Sequence, residues 1–223
     1  MDAVIKVGGS LSETLGAVKA LGNELFRLAK KYQIILVPGG GKFADAVREF
    51  DAKFSLEAAA SHKMAILAMD QYGLFLSQTF KGICPCDSLE DATESSASGK
   101  AFVFLPSKLM FQEDPFTPSW DVTSDSIAAY IACKFKASKV VFATDVDGIF
   151  NEDPKTHSDA RLLSEVSPLE LIKRSERTSV DKFLPNFLLE NQLDCYVVNG
   201  LFPRRISDIL AGHQTICTRI LLR

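Results

Sequence analysis

A lysine and two glycines near the start of the chain have the types and spacing of a phosphate-binding loop. Lys6 lies in an apolar run, and Gly8-Gly9-Ser10 follows it directly before a segment with helical periodicity. Glycines let the backbone come close to an anion, the N–H groups that open a helix point toward it, and a lysine adds positive charge. The order differs from a Walker A loop, in which the lysine follows the last glycine. Taken alone, the segment is equally typical of an ordinary turn from strand to helix.

A second glycine segment, Gly39-Gly40-Gly41, follows the apolar run Ile34–Val37. Three glycines in succession cost conformational entropy, and nothing in the sequence gives them a structural reason. A ligand site would give one, because open α/β sheets bind ligands at the carboxyl ends of their strands. We therefore favour a second close approach of the backbone to a ligand over a flexible turn.

Acidic residues follow two further predicted elements. The segment Thr144-Asp145-Val146-Asp147-Gly148 comes directly after the apolar run Val140–Ala143, and Asp153 lies shortly beyond it. The spacing of an EF-hand is absent, which excludes a calcium loop of that kind. Asp121 and Asp125 precede or open a predicted helix. Capping of that helix would explain Asp125 but not Asp121.

Three basic residues outside these segments are candidates for binding an anion. Lys182 lies in the first turn of the predicted helix Val180–Gln192, where its charge opposes the helix dipole. It is either solvated or faces an anion bound at that terminus. His62 lies inside the predicted helix Leu56–Phe80, where a histidine is more often a core or surface residue than a catalyst. Arg48 either holds an anion or covers its own helix.

Short apolar runs alternate with helical periodicities and would position these residues. The predicted strands are Val4–Val7, Ile34–Val37, Ala101–Leu105, Val140–Ala143, Cys195–Val198 and the edge strand Thr215–Leu222. The predicted helices are Leu11–Lys31, Phe43–Phe50, Leu56–Phe80, Ser126–Phe135 and Val180–Gln192, with short helices after Pro168 and Gly200. The polar segment Cys84–Gly99 is interpreted as loop, with at most a short strand or helical turn. The alternation predicts a three-layer α/β/α sandwich around a mostly parallel sheet.

Composition limits the classes of partner. The 223 residues are 47% hydrophobic and 24% charged, and without a linker or repeat they predict a single domain, 1–223. The net charge of −3 argues against nucleic acid or an anionic membrane as a partner. We find no leader pattern and no apolar run that could span a bilayer. Five scattered cysteines are typical of reduced thiols in the cytoplasm, and Cys84-Pro85-Cys86 lacks partners for a metal site.

Taken together and in this order, the segments resemble the amino acid kinase superfamily. The matching segments are Lys6–Ser10, Gly39–Gly41, Thr123–Asp125, Thr144–Phe150, Asp153-Pro154 and Val198–Gly200. They cover nearly the whole chain, and the segments from Thr144 to Pro154 are the most specific. Within this superfamily, the chain is similar to the kinases of methanofuran biosynthesis, which convert a phosphate monoester of an aminomethylfuran to the diphosphate. Four stretches carry this similarity: GGGKFADAVR, HKMAILAMDQYG, SWDVTSDSIA and SVDKFLPNFL.

The resemblance implies an ATP-dependent kinase with Mg²⁺ held mainly by the ATP phosphates, and it assigns no metal ligand to the protein. Lys6 and Lys182 would stabilise the transferred phosphoryl group, and Asp125 would organise both lysines. The N-terminal half would bind the acceptor, at Gly39, Gly40, Gly41, Arg48, His62 and Asp121. The C-terminal half and the first loop would bind the nucleotide, at Gly8, Gly9, Ser10, Thr144, Asp145, Asp147, Gly148, Phe150 and Asp153. The backbone N–H groups of Gly8, Gly9 and Gly40 would bind the γ-phosphate of the nucleotide and the phosphate of the acceptor.

Two departures from the family pattern accompany the resemblance. Many relatives have Gly-Met before the second lysine, where this chain has Ser179-Val180-Asp181, and many have Gly-Thr where it has Cys217-Thr218. An acceptor with an ammonium group implies an acidic contact, for which Asp121 and Asp51 are candidates. Asp51 is otherwise a solvated surface carboxylate.

Alternative functions stay open at this point. The acceptor could be an amino-acid carboxylate or another phosphate monoester, or the protein could bind nucleotide without catalysis. A homo-oligomer is expected, because the predicted helix Leu56–Phe80 has apolar residues on more than one face.

Overall fold

Short strands and helices alternate through residues 1–154, 156–174 and 178–221, which this computed structural model describes. The strands are β1 (Ala3–Val7), β2 (Ile34–Pro38), β3 (Ile83–Cys86), β4 (Ala101–Phe104), β5 (Val140–Thr144), β6 (Glu165–Val166), β7 (Cys195–Asn199) and β8 (Thr218–Ile220). The helices are α1 (Leu15–Ala29), α2 (Gly41–Phe54), α3 (Ala58–Thr79), α4 (Leu89–Ala97), α5 (Ser107–Glu113), α6 (Ser124–Lys134), α7 (Pro168–Arg174), α8 (Leu184–Asn191) and α9 (Arg204–Ala211). A 3-10 turn, Gly9–Glu13, joins β1 to α1.

The strands of the described residues form one eight-stranded sheet in the order β3-β4-β2-β1-β5-β7-β8-β6. Neighbouring strands are parallel except for β7 and β8. β1, β2 and β5 lie at its centre as near-continuous apolar runs, the pattern of strands covered on both faces. Their carboxyl ends share one edge, so the loops that follow them meet there. The predicted α/β fold with a mostly parallel sheet is confirmed.

Alternation along β1 determines which layer each side chain enters. Ala3, Ile5 and Val7 pack into the apolar cluster that α1 and α9 share. Val4 packs into the other cluster, with the apolar residues of α6 and α8. Because side chains alternate along a strand, Lys6 lies on the same face as Val4 and points toward α6. A single polar residue in an apolar strand is thereby directed at the start of one helix.

Several element predictions differ from the structure. The predicted edge strand Thr215–Leu222 corresponds to β8, which lies between β7 and β6, and the edge strand β6 was not predicted. Cys84–Gly99, interpreted mainly as loop, contains β3 and α4, which Ser88 caps by accepting a hydrogen bond from the N–H of Asp91 at 3.2 Å. The helix α5 was not predicted. The predicted helix Val180–Gln192 begins only at Leu184, so Lys182 precedes it. In each case tertiary contacts outweigh local composition.

The first and second glycine segments pack backbone against backbone. A Cβ atom on Gly9 would lie 2.2 Å from the Cα of Gly41, and one on Gly40 would lie 2.3 Å from the Cβ of Ala44. Gly41 also has a φ of 54°, in the left-handed region that favours glycine. These glycines therefore have a structural reason, and the expectation that nothing structural explains them is wrong.

A buried carboxylate ties the segment before α8 to the start of α6. Asp181 accepts hydrogen bonds from the N–H and Oγ1 of Thr123, the N–H and Oγ of Ser126, and the N–H of Leu184, at 2.6 to 3.0 Å. Its own N–H donates to Oδ2 of Asp125 at 3.2 Å. Burial, followed by the charge of Asp125, raises the pKa of Asp181, against the effect of its hydrogen bonds. Asp181 thus sets the position of Asp125.

All five cysteines are free thiols. Among the residues described, we find no helix that is both long and apolar enough to cross a membrane.

Gly9→Ala tests the packing of the two glycine segments. The added methyl group has to separate them, so we expect the free energy of unfolding in urea to fall by about 2 kcal/mol. Gly16→Ala is the matched control, because a Cβ there meets nothing within 4 Å. Its stability should be unchanged or higher by up to about 1 kcal/mol. Equal effects of the two substitutions would contradict the packing argument.

Asp181→Ala tests the tie between α6 and α8. Buried N–H and hydroxyl donors lose their acceptor, so we expect the free energy of unfolding to fall by about 3 kcal/mol. Asp159→Ala, at an exposed aspartate, should change it by less than about 0.5 kcal/mol. Urea unfolding followed by circular dichroism measures both, and a loss no larger than the control's would refute the structural role of Asp181.

Candidate active site

A cavity of about 320 Å³ opens beside the ends of β1 and β2, and we call it the Lys6 cavity. One part of its wall is polar and comes from Lys6, Gly9, Gly40, Gly41 and Lys42. The opposite part is apolar and comes from Ile66, Met69, Trp120 and Val122. Its volume is within the usual range for a small-molecule site. A polar end and an apolar wall suit a ligand with an anionic group on an organic ring or chain.

The centre of the Lys6 cavity is an ion pair. Nζ of Lys6 lies 2.9 Å from Oδ1 of Asp125, and their side chains are 12% and 9% exposed. Apart from this ion pair, Oδ1 of Asp125 has no hydrogen-bond partner among the described residues. A buried carboxylate oxygen in this state can accept a further cation or donor.

Backbone N–H groups contribute to the polar end only in part. The first turn of α2 has N–H groups without intrahelical partners, and Gly40, Gly41 and Lys42 line the cavity there. Gly8 behaves differently, because its N–H donates to the carbonyl of Ala143 at 2.8 Å. The expectation that Gly8 donates its N–H to a phosphate is therefore wrong. The N–H of Gly39 is likewise engaged, because it donates to the carbonyl of Val7 at the end of β1 at 2.8 Å.

A second cavity, of about 280 Å³, lies beyond the end of β5, and we call it the Asp145 cavity. Four predicted nucleotide residues line it, namely Thr144, Asp145, Phe150 and Asp153. It meets the Lys6 cavity, since Ser179 lines both and Oγ of Ser10 donates to Oδ1 of Asp145 at 3.0 Å. Two ligands could therefore approach each other at this junction.

Two predicted nucleotide residues shape the loop after β5 and do not line the Asp145 cavity. Oδ1 of Asp147 accepts hydrogen bonds from Arg205 at 2.5 Å and from Asn199 at 3.0 Å. Burial acts to raise the pKa of Asp147, but these two bonds outweigh it and lower the pKa. A Cβ on Gly148 would lie 2.4 Å from Oγ1 of Thr218, so this position requires glycine.

Lys182 and Asp121 are not brought to the Lys6 cavity. Lys182 is exposed and lines a separate cavity of about 140 Å³ between α7 and α8. Asp121 is also exposed, and its carbonyl accepts a hydrogen bond from the N–H of Phe183 at 3.1 Å. Their catalytic and acceptor-binding roles stay predictions that this geometry does not support.

The remaining acceptor candidates surround Trp120. The guanidinium of Arg48 lies 4.7 Å from the centre of the indole ring. Nε1 of Trp120 donates to Oδ2 of Asp51 at 2.6 Å, so Asp51 is not a simple solvated carboxylate. His62 is buried in the wall of the Lys6 cavity, and this burial lowers its pKa.

Sequence reasoning missed Asp181, Trp120 and Ser179. Asp181 lies where the chain departs from the family pattern, which was the available signal, but its acceptor role depends on α6, far away in sequence. Trp120 is the one tryptophan of the chain and follows a proline-containing loop. Ser179 donates to the carbonyl of Gly148 at 2.9 Å and carries no distinctive local pattern.

Comparison with known proteins shows which proteins this chain is similar to. The profile described as "Amino acid kinase family" matches residues 1–199. The "[5-(aminomethyl)furan-3-yl]methyl phosphate kinase" of Methanocaldococcus jannaschii is 36% identical over 218 residues, which are 97% of this chain and 96% of that protein. A "Uridylate kinase" of Pyrococcus abyssi is 23% identical over 224 residues, 95% of this chain and 96% of that protein.

A solved structure shows the same fold. The crystal structure of uridylate kinase from Archaeoglobus fulgidus superposes with a TM-score of 0.77 at 23% identity, and covers 99% of this chain and 100% of that one. The family profile spans most of the chain, and the 36% identical relative matches it over almost its full length. The chain therefore belongs to the amino acid kinase family, and it is an ATP-dependent phosphotransferase.

Proposed function

We propose that this enzyme transfers the γ-phosphoryl group of ATP to [5-(aminomethyl)furan-3-yl]methyl phosphate and forms the diphosphate. The observation that carries this proposal is the 36% identity, over 97% of the chain, to the kinase of that name. The two adjoining cavities support it, because a kinase must bring donor and acceptor phosphates together. The acceptor would occupy the Lys6 cavity and ATP the Asp145 cavity, which assigns the N-terminal half mainly to the acceptor and the C-terminal half mainly to the nucleotide.

The residues that line the two cavities suit the phosphates of the acceptor and of ATP. Lys6, Lys42 and the first N–H groups of α2 would hold anionic oxygens at the polar end of the Lys6 cavity. Arg174 adds a positive charge to the wall of the Asp145 cavity. Within the described ranges we find no cluster of three or more acidic, histidine or cysteine side chains that could hold a metal. Mg²⁺ bound to the ATP phosphates would neutralise part of their charge.

The acceptor needs no general base. A phosphate monoester has a second pKa of about 6, so at neutral pH it is mostly a dianion. One of its oxygens would attack the γ-phosphorus, and the bond from that phosphorus to the oxygen bridging to the β-phosphate would break, with ADP as the leaving group. No proton has to be removed from the nucleophile.

Charge repulsion is the main obstacle to this reaction. Two unit charges about 4 Å apart repel by roughly 1 kcal/mol in water and by roughly 4 kcal/mol at an effective dielectric constant of 20. Lys6 lines the proposed acceptor cavity, held by Asp125, and would reduce that repulsion as the phosphoryl group moves. Oδ1 of Asp125, which is paired with Lys6 and accepts no hydrogen bond from the described residues, would also accept a second cation, the role predicted for Lys182. Lys182 would have to move from its present cavity to take it.

We also propose that the enzyme acts in the cytoplasm and as a homo-oligomer. Its five free cysteines fit a reducing compartment. Large apolar side chains are exposed on α3, among them Leu67, Leu74 and Phe75. A second copy of the chain would remove them from water.

An acceptor panel tests the proposed reaction. We expect the enzyme with MgATP to convert the aminomethylfuran phosphate to its diphosphate, detected by mass spectrometry. Turnover of UMP should be at least about 100-fold lower in kcat/KM, because about 3 kcal/mol of discrimination is typical of a site built for other polar groups. N-acetylglutamate should not react. Turnover of N-acetylglutamate or UMP without turnover of the furan phosphate would refute the assignment.

Lys6→Ala tests the catalytic role of the central lysine. The transferred group loses a charge that stabilises it, so we expect kcat to fall by about 10²- to 10³-fold. ATP binding, followed by calorimetry, should remain measurable and shows that the variant is folded. Lys19→Ala, at an exposed lysine on α1, is the control and should keep kcat. Unchanged turnover in Lys6→Ala would exclude the role given to Lys6 and favour a protein that only binds nucleotide.

A further inference from the structure

A recess of about 120 Å³ adjoins the Lys6 cavity beneath Trp120, and we call it the Asp51 recess. His62, Ala65, Trp120 and Val122 line both spaces, so a ligand in the cavity can extend a substituent into the recess. Among the described residues in its wall, Asp51 is the one that carries a formal charge. None of the residues assigned above to phosphate binding reaches this recess.

Trp120 and Asp51 are held in fixed relation. The indole Nε1–H donates to Oδ2 of Asp51 at 2.6 Å, and the ring packs against Ala44, Val47 and Ala68 in the groove between α2 and α3. The hydrogen bond from Trp120 is the main factor that lowers the pKa of Asp51, and it thereby favours the ionised carboxylate. The recess therefore presents a carboxylate and an aromatic side chain together.

The nearby basic side chains do not neutralise Asp51. Arg48 stacks on Trp120 but forms its ion pair with Asp45, at 3.1 Å, and it lines the Lys6 cavity and not the recess. Burial, which Asp114 offsets only in part, lowers the pKa of His62 and so disfavours its charged form. The electrostatic character of the recess is that of a site for a cation.

We propose that the Asp51 recess binds the ammonium group of the acceptor while the Lys6 cavity binds its phosphate. A carboxylate beside an indole is well suited to a primary ammonium, through a charge-assisted hydrogen bond and a cation–π contact. An acceptor without this group would offer no counter-ion to the charge of Asp51, which makes the recess a source of specificity. The inference rests on the proposed function and assigns Asp51 and Trp120 as the specificity-determining residues.

Steady-state kinetics with two acceptors tests the proposal. One is the aminomethylfuran phosphate, and the other has a methyl group in place of the aminomethyl group. We expect the wild-type enzyme to prefer the amine by at least about tenfold in kcat/KM, the equivalent of about 1.4 kcal/mol. Asp51→Asn removes the charge but keeps an oxygen for Trp120. It should raise KM for the amine by about tenfold and leave kcat, KM for ATP and the methyl acceptor unchanged.

The control for charge is Glu49→Gln, which removes an exposed carboxylate from the same helix outside both spaces. It should retain the preference for the amine. Equal losses with both acceptors in Asp51→Asn would mean that Asp51 only supports Trp120, and this result would overturn the proposal. Absence of a preference in the wild-type enzyme would overturn it without any variant.

Binding can be followed without turnover, because Trp120 is the one tryptophan of the chain. We expect furfurylamine to change its emission in a saturable manner, 2-methylfuran to leave it unchanged, and Asp51→Asn to weaken the furfurylamine response about tenfold. Failure of both acceptors to turn over, with this amine response intact, would refute the proposed function and not the recess. A response that is equal for both furans, or unchanged in Asp51→Asn, would refute the recess.

Discussion

The ion pair of Lys6 and Asp125 is the contact on which the candidate site depends. It joins the central strand of the sheet to the first turn of α6 in a place where neither charge is well solvated. A buried pair of this kind gains little net stability, because desolvation offsets the attraction between the charges. The pair matters for position, since it holds a cation in the wall of one of two adjoining cavities, which would contain two anionic ligands.

Two packing constraints support that position. The glycine segments after β1 and β2 touch through their backbones, which brings the first N–H groups of α2 next to Lys6. On the other side, Asp181 receives donors from both α6 and α8 and fixes the backbone beside Asp125. The site is therefore held by elements distant in sequence, although Lys6 lies near the end of a strand and Asp125 at the start of a helix.

Much of this architecture was predictable from local pattern. Apolar runs predicted the central strands because parallel strands covered on both faces have few polar residues. The segments after β1, β2 and β5 were placed at one edge by the same reasoning, and Lys6, Gly40, Asp125 and Asp145 do line adjoining cavities there. Among the elements that were missed, α4 and α5 have mixed composition and are stabilised by burial of only one side, which local propensity does not reveal.

By itself the sequence determined the fold class, the family and the order of the glycine and acidic segments, because these depend on periodicity and residue type. Only the tertiary structure decided which groups are free to act. It engaged the N–H of Gly8 in the sheet, directed Lys182 to another cavity and placed Asp51 against Trp120. The physical reason is that a donor, a charge or a ring acquires its role from partners across space, and those partners are separated from it by many residues of chain.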